Sequence, residues 1–194
     1  MKDWSDYQKR TYNIEPSKLL KYFIDNYEIK TATDLGCGSG NETVYMIKKG
    51  IKVTAVDIQL NEDYILSRLD DDEKQNVAFK KQDFESIVLE KTDAVVALFS
   101  IPFCKPEKFN DLWSKIYDSI NDNGYFVGQL AGDRDDWRNN SNMNTFTIEE
   151  AKNLLSKYNV LRLDEREFVR ETDNKKWHFY NIIARKENMW KCKK

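Results

Sequence analysis

The stretch Thr33-Asp34-Leu35-Gly36-Cys37-Gly38-Ser39-Gly40-Asn41, TDLGCGSGN, sets three alternating glycines directly behind an acidic residue. Glycines between an apolar run and a helical pattern mark a loop whose backbone approaches a ligand closely. Spacing decides which ligand. A phosphate-binding P-loop needs Gly-x-x-x-x-Gly-Lys-Ser/Thr, but counting on from Gly36 reaches Asn41 and Glu42. A dinucleotide loop, Gly-x-Gly-x-x-Gly, needs glycine where Asn41 stands. Asp34 and Glu42 bracket the loop with negative charge, which opposes a pyrophosphate and favours a cation.

Working outward, the chain alternates strands and helices. Glu15-Pro16-Ser17 opens a helix carrying Leu19, Leu20, Phe23, Ile24 and Tyr27, which leads to a strand over 31–35. A helix over 43–49 stops at Gly50, and a second strand over 51–56 ends at Asp57. A helix near 64–69, an acidic turn and a strand over 76–81 follow, the last ending before Asp83 and Phe84. The apolar run 92–99 reads as a central strand covered on both faces. A helix over 108–120, a tight turn at Asn-Asp-Asn-Gly and a fifth strand over 124–130 come next. The capping-box spacing Thr147 to Glu150 starts a last helix over 148–158. Strands over 160–169 and 178–184, joined by a short polar segment, form a hairpin. The expected fold is α/β, an open and mostly parallel sheet with an antiparallel strand.

In such sheets ligands bind outside the carboxyl ends of the strands, where the strand order reverses. Asp34, Asp57 and Asp83 place one carboxylate at each of three strand ends. A ligand suited to this set has a cationic group, a carboxylate for backbone N–H groups, and a ribose. S-adenosylmethionine has all three. Asp57 is placed for the ribose hydroxyls, and Asp83-Phe84 for an adenine amino group and ring.

Asp34-Leu35-Gly36-Cys37-Gly38-Ser39-Gly40, Val56-Asp57-Ile58, Gln82-Asp83-Phe84, the strand 93–100 and Asn123-Gly124-Tyr125 together resemble the ordered motifs of class I S-adenosylmethionine-dependent methyltransferases, over nearly the whole chain. The resemblance implies a Rossmann-like seven-stranded sheet with an antiparallel last strand and helices on both faces. It implies S-adenosylmethionine as cofactor, with Asp34 near the methionine ammonium through the loop. Gly36, Cys37, Gly38 and Gly40 would line the close approach, Asp57 and Ile58 the ribose, Asp83 and Phe84 the adenine, and Leu98 and Phe99 the cofactor's flank. The size and the segment Trp177 to Lys186 are similar to compact bacterial small-molecule methyltransferases, including the tellurite-resistance type.

Acceptor residues are expected from the remaining strand ends and the N-terminal segment. Tyr12, Phe103, Arg134 and Trp137 are the candidate pocket residues, and Tyr7 with Tyr12 is placed to fold over the methionine end. The sequence Ser100-Ile101-Pro102-Phe103 echoes, inexactly, a motif of amino-nitrogen methyltransferases. The loop 132–146 is long enough for a lid. His178, the only histidine, falls at the active edge if the last strand is antiparallel, where a general base would stand.

Composition limits the alternatives. The 194 residues suit one domain (1–194), with an N-terminal helical segment over 1–30 covering the cofactor and a tail over 186–194 whose Met189 and Trp190 are expected to dock on the body. A net charge of −2 disfavours a general nucleic-acid binder. Cys37, Cys104 and Cys192 have neither disulfide nor zinc spacing, so no metal is expected. No apolar run of about 20 residues is present, and no membrane partner is expected. The expected setting is cytoplasmic and the expected partner a small-molecule methyl acceptor. A macromolecular acceptor, or a cofactor-binding protein without catalysis, are the alternatives.

Overall fold

A computed structural model describes residues 4–187. Seven strands form one sheet: β1 (Thr31–Leu35), β2 (Lys52–Asp57), β3 (Val77–Lys81), β4 (Thr92–Ala97), β5 (Ile120–Ala131), β6 (Tyr158–Arg170) and β7 (Lys175–Lys186). Their order is β3-β2-β1-β4-β5-β7-β6. β1 to β5 pair in parallel, while β7 runs antiparallel to both β5 and β6. The chain winds from β1 out to β3 on one side and then crosses to β4 on the other. That reversal opens a crevice beyond the carboxyl ends of β1 and β4, where ligands settle in sheets of this kind.

Among the described residues there are six α-helices: α1 (Ser5–Thr11) and α2 (Lys18–Asn26) precede β1, while α3 (Asn41–Lys48), α4 (Glu62–Leu66), α5 (Phe109–Ser119) and α6 (Ile148–Leu154) connect strands. Leu19, Leu20 and Phe23 of α2 recur at helical spacing and bury one face, joined by Met46 and Ile47 of α3 and Ile65 of α4 over one side of the sheet. Phe109, Leu112, Trp113 and Ile116 of α5 and Ala151 of α6 bury the other. Each fully buried side chain of this size contributes roughly 1.5–3 kcal/mol. Ser17 caps α2 by accepting from the Leu19 N–H, and Thr147 with Glu150 closes a capping box on α6.

Several boundaries differ from expectation. β5 begins at Ile120, not Gly124, because the Asn-Asp-Asn-Gly segment lies inside the ladder. Thr92 faces Ile120 and Ala94 faces Tyr125, so residues 121–124 bulge around Asp93. Asn121 donates to the Asp93 carboxylate at 2.9 Å, and Asn123 takes φ 64°. α6 ends at Leu154 because Tyr158 already pairs with Lys186 across the sheet edge. β6 and β7 are longer than expected, leaving only residues 171–174 for the turn. α4 is short, ending at Leu66. Lys186 closes β7, its ammonium donating to the carbonyls of Tyr117 and Ile120 at 2.8 and 2.9 Å. Met189, Trp190 and Cys192 lie outside the described residues.

Candidate functional site

The glycine loop leaves β1 at the switch point, and its three glycines all have positive φ: 78°, 55° and 76°. Their surroundings differ. A Cβ on Gly36 would stand 2.3 Å from Ser100 Cβ, and one on Gly40 would stand 2.2 Å from Ile65 Cγ1, so both are needed for packing. A Cβ on Gly38 would meet nothing within 4 Å. Gly38 is thus the point where the backbone faces open space at the carboxyl edge.

Asp57, half-buried at the end of β2, holds this loop in place. Its Oδ2 accepts the Gly38 N–H at 3.0 Å and its Oδ1 the Gln59 N–H at 2.8 Å. A carboxylate has about four lone-pair sites, so two remain for ligand hydroxyls. Ile58 is half-buried beside it. Asp34 is different: it is 3% exposed, and its carboxylate accepts from the Thr43 hydroxyl beneath the loop. Burial, with Glu42 nearby, pushes its carboxyl up to about 7. Glu42 is also shifted upward by burial, and accepts the Ser17 N–H at 3.1 Å. A cation above the loop would relieve both groups.

Cys37 is buried, and burial pushes its thiol well above the ordinary range, leaving it a packing residue. Asp83 is half-buried at the end of β3, its Oδ1 accepting both the N–H and the hydroxyl of Ser86 at 2.7 and 2.6 Å, with Phe84 beside it. These hydrogen bonds hold its carboxyl below the usual range. Phe84 reaches the switch point, where its ring tip lies 3.5 Å from a Cβ built on Gly36. Leu98 and Phe99 are half-buried at the end of β4, and Phe99 has φ 52°. A bulky side chain in the left-handed region is strained backbone, of the kind that gathers at ligand sites.

The four candidate pocket residues separate. Phe103 and Trp137 come together, with ring centroids 5.1 Å apart, and Trp4 lies 4.7 Å from Phe103. Tyr12 instead sits over α4, its hydroxyl 3.2 Å from Ser67 and its ring beneath the Arg68 guanidinium. The Arg134 guanidinium is taken up by Glu165 and Glu167 on β6. Opposite charges on the neighbouring hairpin capture it, and neighbours supplied by a distant strand are invisible in local sequence.

His178 does stand at the carboxyl edge, on β7, but with no exposed surface. Its Nδ1 accepts the Arg134 N–H at 3.0 Å, which leaves Nε2 as the donor to Glu165 at 2.8 Å. A Cβ on Gly132 would fall 2.1 Å from the ring. Both ring nitrogens are occupied within the protein, so the geometry is that of a residue positioning the hairpin rather than a base facing substrate. The amino-nitrogen echo fares similarly. The Ser100 hydroxyl donates to the Leu35 carbonyl, and the Pro102 carbonyl accepts the Asn144 N–H at 3.0 Å.

The loop 132–146 is tied down along its length. Asp135, buried, accepts from the His178 N–H, the Trp137 N–H and the Lys175 ammonium, and Asn144 donates to the Cys104 carbonyl at 2.6 Å. α1 lies across the edge instead. Gln8 donates to the Gln59 carbonyl, while Ser39 and Asn41 of the glycine loop donate to the Thr11 carbonyl. A helical segment over 1–30 was expected here, but its ties to the glycine loop were not, and sequence reasoning did not single out Trp4, Gln129, Trp177 and Phe179, which the fold brings to the same edge. The strand alternation in Trp177 to Ile183 was the available signal for the last two.

Two shallow depressions lie at the opposite, amino-terminal edge of the sheet. One of about 260 Å³ is lined by Thr31, Lys52 and Val77, and the other, of about 590 Å³, by Tyr27, Lys49 and Asp93. Neither touches the glycine loop. Among the described residues no cluster of His, Cys, Asp and Glu could hold a metal, and no helix is long and apolar enough to cross a membrane.

Residues 32–124 match a family described as a methyltransferase domain. A carboxy-S-adenosyl-L-methionine synthase from Nautilia profundicola is 27% identical over 124 residues, covering 62% of this chain and 51% of that protein. The synthase of the same name from Campylobacter concisus is 29% identical over 99 residues, covering 48% and 41%. The chain therefore spans about half the length of the curated relatives it matches. Among solved structures, TehB from Haemophilus influenzae superposes with a TM-score of 0.73 at 24% identity, over 94% of this chain and 66% of that one. The 1,6-didemethyltoxoflavin-N1-methyltransferase of Burkholderia thailandensis, solved with 1,6-didemethyltoxoflavin and S-adenosylhomocysteine, gives 0.71 at 16% identity over 95% and 84%.

Proposed function

We propose, from the premise that this chain has the class I methyltransferase fold with a methyltransferase domain matched over residues 32–124, that it is an S-adenosylmethionine-dependent methyltransferase acting on a small molecule. One observation carries the reading. Gly38, alone among the three loop glycines, faces open space, and its N–H is fixed by Asp57, a carboxylate with hydrogen-bonding capacity to spare.

The residues suit the cofactor in charge and in shape. Gly38 allows close approach, Asp57 would take the ribose hydroxyls, and Asp83 with Phe84 the adenine. Asp34 and Glu42 set a negative potential under the loop for a cationic ligand. S-adenosylmethionine, when bound, supplies a methyl group on a sulfonium, a group displaced in line by a nucleophile. The chain's own residues have a simpler task. They hold the acceptor atom about 3–3.5 Å from the methyl, in line, and keep water away. The aromatic rings of Phe99, Phe103 and Trp137 beside the crevice suit exclusion of water. Catalysis by position needs no general base when the acceptor is soft or already anionic, which accords with the enclosed state of His178.

A small acceptor is favoured over a macromolecule because Arg134, a cation that a basic docking surface at this edge would use, is paired with Glu165 and Glu167. The free, buried thiols of Cys37 and Cys104 accord with a reducing cytoplasm. The test is a screen reading out S-adenosylhomocysteine over phenols, heteroaromatic amines, thiols and metalloid oxyanions. Turnover with at least one small acceptor is expected. Turnover only on protein or nucleic acid would replace the small-molecule reading.

A further inference from the structure

β5 and β7 run on past the end of β4 and stand as a wall above the crevice. Ala97 of β4 pairs with Gly128, whereas β5 continues to Ala131 opposite Phe179. Alternate residues of a strand share a face, so Trp177, Phe179 and Asn181 of β7 point to one side, with Gln129 directly opposite Asn181. Phe99 leans on this wall, its ring 5.4 Å from Trp177 and 5.0 Å from Phe179. Trp137 closes the far side, 5.2 Å from Trp177.

Two polar atoms on this aromatic wall are buried and have no hydrogen-bond partner among the described residues: Gln129 Oε1 and Trp177 Nε1. Gln129 is 5% exposed, and its Nε2 is already used on Asn181 at 2.7 Å, which directs Oε1 elsewhere. The other two orphans, the Tyr158 and Tyr180 hydroxyls, belong to core residues on the opposite face. Buried polar groups are satisfied as a rule, and an unmet acceptor and an unmet donor on one face next to a ligand crevice call for a ligand that meets both.

We infer that Gln129 and Trp177 bind the methyl acceptor, and that this acceptor is a planar aromatic or heteroaromatic molecule with a hydrogen-bond donor toward Gln129 and an acceptor group toward Trp177. The inference rests on the methyltransferase reading and narrows its substrate class. Flat guests stack on such rings, while an amine N–H or hydroxyl satisfies Gln129 and a ring nitrogen or carbonyl takes the indole N–H. An aliphatic thiol or amine offers no surface for the rings, and the Lys175 ammonium lying on the wall, 3.6 Å from the centroid of the Trp177 ring, is already paired with Asp135 and so is not free for a metalloid oxyanion.

The test uses the full chain saturated with S-adenosylhomocysteine, titrated calorimetrically with 4-hydroxyquinoline and 2-aminopyrimidine as planar probes, and with ethanolamine and 2-mercaptoethanol as aliphatic ones. The planar probes should bind and the aliphatic ones should not. Trp177→Phe keeps a ring and removes the N–H, and Gln129→Met keeps the length and removes the carbonyl. Each should weaken planar binding about tenfold with S-adenosylhomocysteine affinity unchanged. Thermal unfolding of both variants separates loss of binding from loss of fold. Equal or tighter aliphatic binding, no planar binding, or planar binding indifferent to both substitutions would overturn the inference. Failure of S-adenosylhomocysteine itself to bind would instead overturn the cofactor reading beneath it.

Discussion

Gly36 and Gly38 share a left-handed backbone and have opposite surroundings, so alanine should affect them differently. At Gly36 the new Cβ strikes Ser100 at 2.3 Å. Strain and overpacking together should cost about 3 kcal/mol, measured by denaturant titration. At Gly38 only backbone strain applies, about 1 kcal/mol. Its main effect should be weaker S-adenosylhomocysteine binding, because the methyl group enters ligand space. Equal destabilisation by the two substitutions would mean that Gly38 does not face a ligand. Asp57→Ala should weaken that binding more than tenfold, and an unchanged calorimetric affinity would remove Asp57 from the site. Asp34 gives a pH signature. Its carboxyl rises from 3.8 to about 7 on folding, so the folded state binds the proton more tightly. The stability this provides is present below about 4 and is lost as pH rises through about 7. Asp34→Asn mimics the protonated form, so it should melt above the parent at pH 8 and level with it near pH 4. The same melting difference at both pH values would show that folding does not raise the Asp34 carboxyl. These carboxylates were legible in the sequence because each ends a strand. The buried state of Asp34 was not, since it depends on Thr43 and Glu42 folding over it.

At the scale of elements, the hairpin of β6 and β7 was legible as an element while the surroundings of its side chains were not. The hairpin was anticipated, and so was the place of His178 at the carboxyl edge. Its enclosure was not, because Arg134, Asp135 and Glu165 converge on it from two other segments. His178→Ala should therefore act through stability. It leaves a cavity and strands the Arg134 N–H and Glu165, costing about 3 kcal/mol, which a melting curve would register. Loss of turnover without loss of stability would return His178 to a chemical role. The bulge at residues 121–124 shows a different limit. The sequence signals a turn there, but the segment forms a bulge within β5 instead, shaped by Asp93 on the neighbouring strand.

For the whole molecule, the alternation of elements was enough to foresee seven strands in a mostly parallel sheet with an antiparallel strand, and the resemblance of the ordered motifs implies the same count. Hydrophobic periodicity reports which faces are buried, and that is what sets layer architecture. The acceptor wall was not foreseen, because it exists only where β5 and β7 overrun β4, a matter of relative strand length and register. The nature of the ligand at the switch point decides the function. Its most direct test is calorimetry of the full chain with S-adenosylhomocysteine and, separately, with NAD. Saturable binding of S-adenosylhomocysteine and none of NAD is predicted; preference for NAD, or no binding of S-adenosylhomocysteine, would contradict it.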